Sequence, residues 1–237
     1  KMEKSKAVQI GQVNAGVTNN RHTNPRLMFE SNLTIEKLDN GFLKATRVWQ
    51  GASSKEIAIE EVLWCSKNGL QFASMNHPDL NERGCLDVKN GHGTAKLSSY
   101  KTKYKEKENN LNFVTSPCTL LSVPFEIAKH WDALMNGRKI ELDYTVLKVQ
   151  AHTGITLQKR NFKGKIVISV TPKKWFWKML FGSTDFHFNS KTHCLEKIDG
   201  LLEPRDKNLK GKYVEYLGLA KFDTAMDLSI IREHANV

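Results

Sequence analysis

Ile140-Glu141-Leu142-Asp143-Tyr144-Thr145-Val146 alternates apolar and polar side chains with a period of two, the pattern of a half-buried strand. A second such run, Lys165–Thr171, leads into an aromatic-basic segment, Pro172-Lys173-Lys174-Trp175-Phe176-Trp177-Lys178-Met179-Leu180-Phe181. Around these runs the pattern gives six strands: Lys139–Val149, Gly154–Arg160, Lys163–Thr171, Thr184–Ser190, Cys194–Asp199 and Tyr213–Phe222. Short turns join them and no crossover helix intervenes, so neighbours must pair antiparallel. The fold expected is mainly β: a strongly curved antiparallel sheet, a half-barrel, partly wrapped around one amphipathic helix.

That helix lies upstream, at Ser116–Asn136, with its body over about residues 117–136. Leu120, Val123, Ile127, Trp131, Leu134 and Met135 fall on one stripe, Pro124 suits a first turn and Gly137 a helix end. Further upstream, Asn40-Gly41 between two alternating runs is a strong hairpin signal, giving strands over Phe29–Leu38 and Phe42–Gln50. Lys55–Cys65 and Leu70–Met75 form another pair around Lys67-Asn68-Gly69. His77 to Gly93 is rich in Asn, Asp, Gly and Pro and reads as a long surface connection. Lys96–Lys107 reads as an exposed strand or a loop. Residues 1–26 show little apolar periodicity and read as a flexible N-terminal arm, leaving 27–237 as a single curved antiparallel β domain. The tail from Asp223 reads as a short helix or a last strand.

The chain has 237 residues, 40% hydrophobic and 26% charged, with a net charge of +11. These proportions exclude disordered and fibrous classes. Ten Lys/Arg against Glu141 and Asp143 fall within Arg138–Lys178, so much of the excess is local. The densest apolar run, Trp175–Phe181, is interrupted by Lys178 and is far shorter than the roughly 20 residues a membrane-spanning helix needs. Lys1-Met2-Glu3-Lys4 lacks the apolar stretch of a signal peptide, which fits a cytoplasmic chain or a mature exported form. Cys65, Cys85, Cys118 and Cys194 have no CxxC spacing; either they are thiols or they pair, with Cys65–Cys85 the first candidate.

Chemical motifs are sparse. Cys65, His77, Cys85 and His92 share a region, but nothing in their spacing fixes two zinc ligands locally. There is no G-x-S-x-G elbow and no phosphate-cradling glycine pattern. His130, beside Trp131 on the helix, reads as a packing or surface residue. The residues assign no catalytic role, no metal and no cofactor. Trp175, Phe176 and Trp177 between Lys173, Lys174 and Lys178 have three readings. They bury alternate rings as a plug in the sheet's concavity, meet an acyl chain or membrane boundary, or stack nucleic-acid bases. Nucleic acid ranks last, because no recognition helix or ribonucleoprotein aromatic pattern accompanies the charge.

The succession Leu142–Leu147, Thr156-Leu157, Val167–Pro172, Trp175-Phe176, Phe186-His187-Phe188-Asn189, Leu195-Glu196-Lys197-Ile198-Asp199-Gly200, Pro204-Arg205 and Tyr213-Val214-Glu215-Tyr216 resembles uncharacterised proteins of bacterial cell envelopes. The likeness is one of spacing over Arg138–Phe222. Such proteins are similar in expected architecture to the lipoprotein localisation factors, whose curved antiparallel sheet half-encloses a helix and accepts an acyl chain. The resemblance implies export to the periplasm and a concave apolar surface. It transfers no functional residue, and the lysines and the Trp175–Trp177 cluster are not part of it.

The function expected is binding of an apolar or amphipathic ligand, a lipid or acyl chain, in the concave sheet. Trp131, Tyr144, Trp175, Phe176, Trp177 and Phe181 are the candidate contacts, and Lys173, Lys174 and Lys178 the rim for an anionic head group. The partners named are this ligand and, peripherally, an anionic membrane surface. Two alternatives stand beside it. One is a small-molecule enzyme using the same pocket through Asp143, Tyr144, His187 and Arg205. The other is a cell-envelope structural or interaction module using exposed strand edges.

Overall fold

The computed structural model describes residues 7–18, 27–51, 53–99, 106–162, 164–207 and 210–235. Fifteen strands form one curved, unclosed sheet, in the order β8-β7-β6-β5-β4-β3-β2-β1-β15-β14-β13-β12-β11-β10-β9. The chain therefore starts in the middle at β1 (Ala7–Thr18) and steps outward through β2 (Leu27–Leu38), β3 (Leu43–Gln50), β4 (Glu56–Cys65), β5 (Gly69–His77), β6 (Glu82–Lys89) and β7 (His92–Ser99) to one edge, β8 (Lys107–Asn112). It crosses to the other edge at β9 (Pro117–Cys118) and returns through β10 (Ile140–Val146), β11 (Ala151–Phe162), β12 (Lys165–Pro172), β13 (Thr184–Phe188) and β14 (Leu195–Lys207) to β15 (Tyr213–Met226), which lies against β1. All pairings are antiparallel except the short β9–β10 contact.

Strand phase explains the curvature. In β3 the residues Leu43, Ala45, Arg47 and Trp49 are buried while their neighbours are half-exposed, and Ala58, Glu60, Val62 and Trp64 do the same in β4. One face of the sheet thus supplies the core. Asn112 to Pro117 carries the chain from one edge to the other in five steps, a reach of at most about 18 Å, so the sheet must curl until its edges nearly meet. Side chains then bridge the seam. Asn109 Nδ2 donates to the Gln150 carbonyl at 2.9 Å, and Gln150 Nε2 donates to the carbonyls of Ala95 and Lys107. Asp143 Oδ2 accepts the backbone N–H groups of Val114 at 2.7 Å and Thr115 at 2.8 Å, pinning the crossing segment to β10.

The expected helix is present but short and broken. Pro117-Cys118 is strand, α1 runs over Val123–Lys129, and α2 over Trp131–Met135 after an interruption at His130. The apolar stripe survives the break: Leu120, Val123, Ile127, Trp131 and Leu134 are all buried. A short α3 (Trp175–Phe181) and a terminal α4 (Ser229–Ala235) complete the chain, the latter packing on α1.

Two further expectations need correction. Ala7–Thr18, read as part of a flexible arm, is a strand paired along its length with β2, its Val13, Ala15 and Val17 pointing into the core. Residues 1–6 and 19–26 of that arm lie outside the described residues. The stretch read as a long connection contains β6, entered by a 3-10 turn at Pro78–Leu80 and left by a two-residue turn at Asn90-Gly91 with φ of 51° and 77°. The cysteines follow the thiol reading: no Cys65–Cys85 disulfide forms, and all four are free. Cys65 is on β4 and Cys85 on β6, and strands two apart lie about 9–10 Å from each other, beyond disulfide reach.

α1 brings one carboxylate into the core. Glu126 is fully buried, its Oε1 accepts the Trp64 indole N–H at 2.7 Å, and its Oε2 has no hydrogen-bond partner. Burial pushes this carboxyl above its ordinary value of 4.5, against the opposing Trp64 hydrogen bond. A carboxyl raised on folding contributes stability below its unfolded pKa and loses it as pH rises through the folded one. Glu126→Gln keeps an acceptor for Trp64 without the charge. We expect its melting temperature to exceed that of the wild type at pH 8 and to converge with it near pH 4, as followed by circular dichroism.

Candidate functional site

Two narrow clefts open between α1, the inner face of β10 and the facing strand β14. The first has a cavity volume of about 40 Å³ and is lined by Glu60, Thr119, Tyr144, Thr145, Lys148, Glu203 and Glu215 among others. The second also has a cavity volume of about 40 Å³ and is apolar, with Leu120, Val123, Val146, Ile155, Val170 and Pro172 in its walls. Leu120, Tyr144, Val146 and Leu201 line both, so the two lie side by side: a greasy one and a polar one.

The polar cleft is built by charges that strand phase turns inward. Glu60 Oε2 accepts Arg47 Nε at 2.7 Å and the Trp49 indole N–H at 2.7 Å, and Arg47 Nη2 stands 2.6 Å from the same oxygen. From the opposite wall, Glu203 of β14 meets His77 Nε2 of β5 at 3.1 Å, and Arg205 pairs with Glu82 of β6. Lys148 pairs with Glu215. The His77–Glu203 and Glu82–Arg205 pairs tie the two halves of the sheet across its interior. Burial raises the Glu60 carboxyl, with the Arg47 charge opposing and the Glu203 charge reinforcing the rise. Burial acts in the same sense on Glu203, but the His77 hydrogen bond and the His77, Lys148 and Arg205 charges outweigh it and lower that carboxyl. The Tyr144 phenol is pushed well above its usual range, mainly by burial, and remains a neutral donor.

Buried hydroxyls without hydrogen-bond partners mark the walls: Thr119 in the polar cleft and Thr153 in the apolar one. Each is at most 8% exposed. Orphaned buried donors cost stability, and a site that hydrogen-bonds a ligand or water is a common reason to keep them.

The sequence candidates separate. Tyr144 lines both clefts. Trp131 is packed 5.2 Å from Phe188 and 5.2 Å from His193, away from the cleft walls. Trp175 is 74% exposed, Phe176 49% and Met179 66%, so α3 is not a plug in the concavity. Trp177 is half-buried, and the Phe181 side chain lies outside the described residues. Pro172 and Gly182, the residues flanking α3, line the apolar cleft, which sets the exposed helix at its mouth. Lys173, Lys174 and Lys178 are exposed around it, Lys173 paired with Glu141 at 2.6 Å. Of the enzymatic candidates, Asp143 is occupied by Val114 and Thr115, and Arg205 by Glu82. His187 sits on β13 with burial lowering its pKa, and it does not line either cleft. Sequence reasoning missed Arg47, Glu60 and Glu203 altogether and weighed His77 only as a zinc ligand.

Among the described residues no helix is long and apolar enough to cross a membrane. No family model and no curated protein matches the chain. Among solved structures, a beta-barrel-like protein of the domain of unknown function DUF1849 from Brucella abortus is similar over 94% of this chain and 99% of its own, at 9% identity and a TM-score of 0.46.

Proposed function

We propose that the protein binds one single-chain amphipathic ligand, its acyl tail in the apolar cleft and its polar end toward Tyr144 and Thr119. The observation that carries this reading is an apolar cleft adjoining a polar one that holds the orphaned Thr119 hydroxyl. Sites for such ligands are apolar concavities with a few placed polar groups. The cleft is narrow, so a long chain enters only by parting its walls, and the unclosed seam between β8 and β10 gives the sheet room to do so. Catalysis is not favoured, because the buried acids of the cleft are already engaged by Arg47, His77 and Lys148.

Val170→Trp projects a large ring into the apolar cleft from β12. We expect it to weaken displacement-detected binding of a fluorescent fatty acid by about tenfold or more, the loss of one well-buried apolar contact region. Native mass spectrometry should show bound lipid on the wild type and less on the variant. Failure of the wild type to bind the probe, or equal binding by Val170→Trp, would sink the reading. Export to the bacterial periplasm belongs to the same proposal, supported by the spacing likeness to envelope proteins. Recovery of the natural protein from the cytoplasm in cell fractionation would count against it.

A further inference from the structure

The α3 helix presents apolar side chains to water in a way a stable soluble surface avoids. At about 100° per residue, Trp175, Met179 and Phe176 fall at 0°, 40° and 100°, a single arc of one face. All three are exposed, whereas Trp177, at about 200°, is half-buried and faces the body of the protein. The rings stack edge-to-face, Trp175 on Phe176 at 6.3 Å and Phe176 on Trp177 at 6.0 Å, so the exposed wedge is held to its anchor. Lys178, at about 300°, borders one edge of that arc, Lys174 precedes the helix one turn earlier on the same side, and Lys173–Ser183 contains no acidic residue. Aromatic rings bordered by lysines suit the interface of an anionic bilayer, where rings lie among head groups and ammonium groups meet lipid phosphate.

We infer that α3 docks the protein on an anionic membrane surface, with Trp175, Phe176 and Met179 inserted and Lys174 and Lys178 on the head groups. The occupant is argued from charge complementarity: the α3 segment itself carries cations alone, the neighbouring acid Glu141 is paired with Lys173, and a protein partner or a second copy of this basic chain would have to supply its own acids. Pro172 and Gly182 set the helix at the mouth of the apolar cleft, so docking would bring that mouth to the lipid. This role in loading rests on the proposed binding of an acyl chain, while docking itself does not.

Cosedimentation with vesicles tests it. Wild-type protein should pellet with vesicles of mixed phosphatidylglycerol and phosphatidylcholine and much less with phosphatidylcholine alone. The triple variant Trp175→Ser, Phe176→Ser, Met179→Ser, altered only at exposed positions, should keep its melting temperature and lose partitioning by about tenfold or more. Lys174→Glu with Lys178→Glu should abolish the preference for anionic vesicles. Lys37→Glu with Lys221→Glu, an equal charge reversal at exposed positions elsewhere, should change it little. Val170→Trp should still pellet while losing the fatty-acid probe, which separates failure of docking from failure of the cleft. No wild-type pelleting, pelleting retained by the triple variant, or equal losses from both charge reversals would overturn the inference. So would self-association through α3, seen by sedimentation velocity, in place of vesicle binding.

Discussion

Arg47→Met should lower the unfolding free energy by about 3–5 kcal/mol, whereas the double variant Arg47→Met, Glu60→Met should recover most of it. Arg47 and Glu60 face each other directly in the β3–β4 ladder and are 5% and 4% exposed. The desolvation cost of two such charges roughly cancels their attraction, so the pair as a whole is close to neutral for stability. Removing one partner is different. Glu60 would keep the Trp49 N–H but lose the cation that opposes its burial and the nearby Glu203 charge. It would then take up a proton instead of remaining an unpaired anion, which limits the loss at low pH. The deficit of the single variant should therefore grow as pH rises from 5 to 8, and the double variant should show little of that slope. Urea titrations across this range measure both. A single variant as stable as the wild type at pH 8 would mean that the pair is hydrated and that the polar cleft is open to solvent.

Arg47 also shows what the sequence could have yielded and did not. The Asn40-Gly41 turn fixes the β2–β3 hairpin, and strict alternation then puts Leu43, Ala45, Arg47 and Trp49 on one face. The next strand puts Ala58, Glu60, Val62 and Trp64 on one face too. An inward Arg beside an inward Glu on adjacent strands was a legible signal of a buried pair. It was overlooked because charge was counted by region and not by phase. The same oversight applied to Asn90-Gly91, an Asn-Gly turn like the one recognised at Asn40-Gly41, hidden in a stretch whose composition suggested loop. β1 was missed for another reason. Gln9, Gly11, Gln12, Asn14 and Gly16 dilute its apolar content, and it is held by ladders on both sides more than by its own side chains.

The C-terminal half was legible because each strand there carries its alternation locally and the turns are short. The aromatic segment was legible as a helix-sized unit but not in orientation. Apolar content alone argues for burial, and only tertiary packing reveals that Trp177 turns inward while Trp175 and Phe176 turn out. Contacts that depend on the sheet curling back on itself, His77 with Glu203 and Arg205 with Glu82, join residues more than a hundred positions apart. No local pattern encodes them. The cleft is in the same category, since its lining comes from β4, β5, α1, β10, β12 and β14 together.

Asp143→Ala should cost about 3 kcal/mol at pH 7, because it orphans two backbone donors that now share one ionised oxygen. Those donors, Val114 and Thr115, belong to the few residues that carry the chain across the open seam from β8 to β9. Burial alone would raise the Asp143 carboxyl, but the amides of Thr115 and Val114 and the His152 ring at 3.3 Å together hold it below its ordinary value of 3.8. A carboxyl depressed on folding contributes stability above its unfolded pKa and loses it as pH falls through the folded one. The difference between wild type and Asp143→Ala should accordingly be full near neutrality and shrink below pH 3.8. Asp143→Asn keeps the accepting oxygen without the charge, and about 1 kcal/mol of loss is expected from it. Hydrogen exchange locates the effect: the amides of Val114 and Thr115 should lose protection first in Asp143→Ala, followed by those of β8 and β9, while the hairpin of β3 and β4 stays protected. Uniform loss of protection across the sheet would show instead that the seam and the far wall unfold as one unit, and that the sheet has no separate opening at β8 through which a ligand could enter.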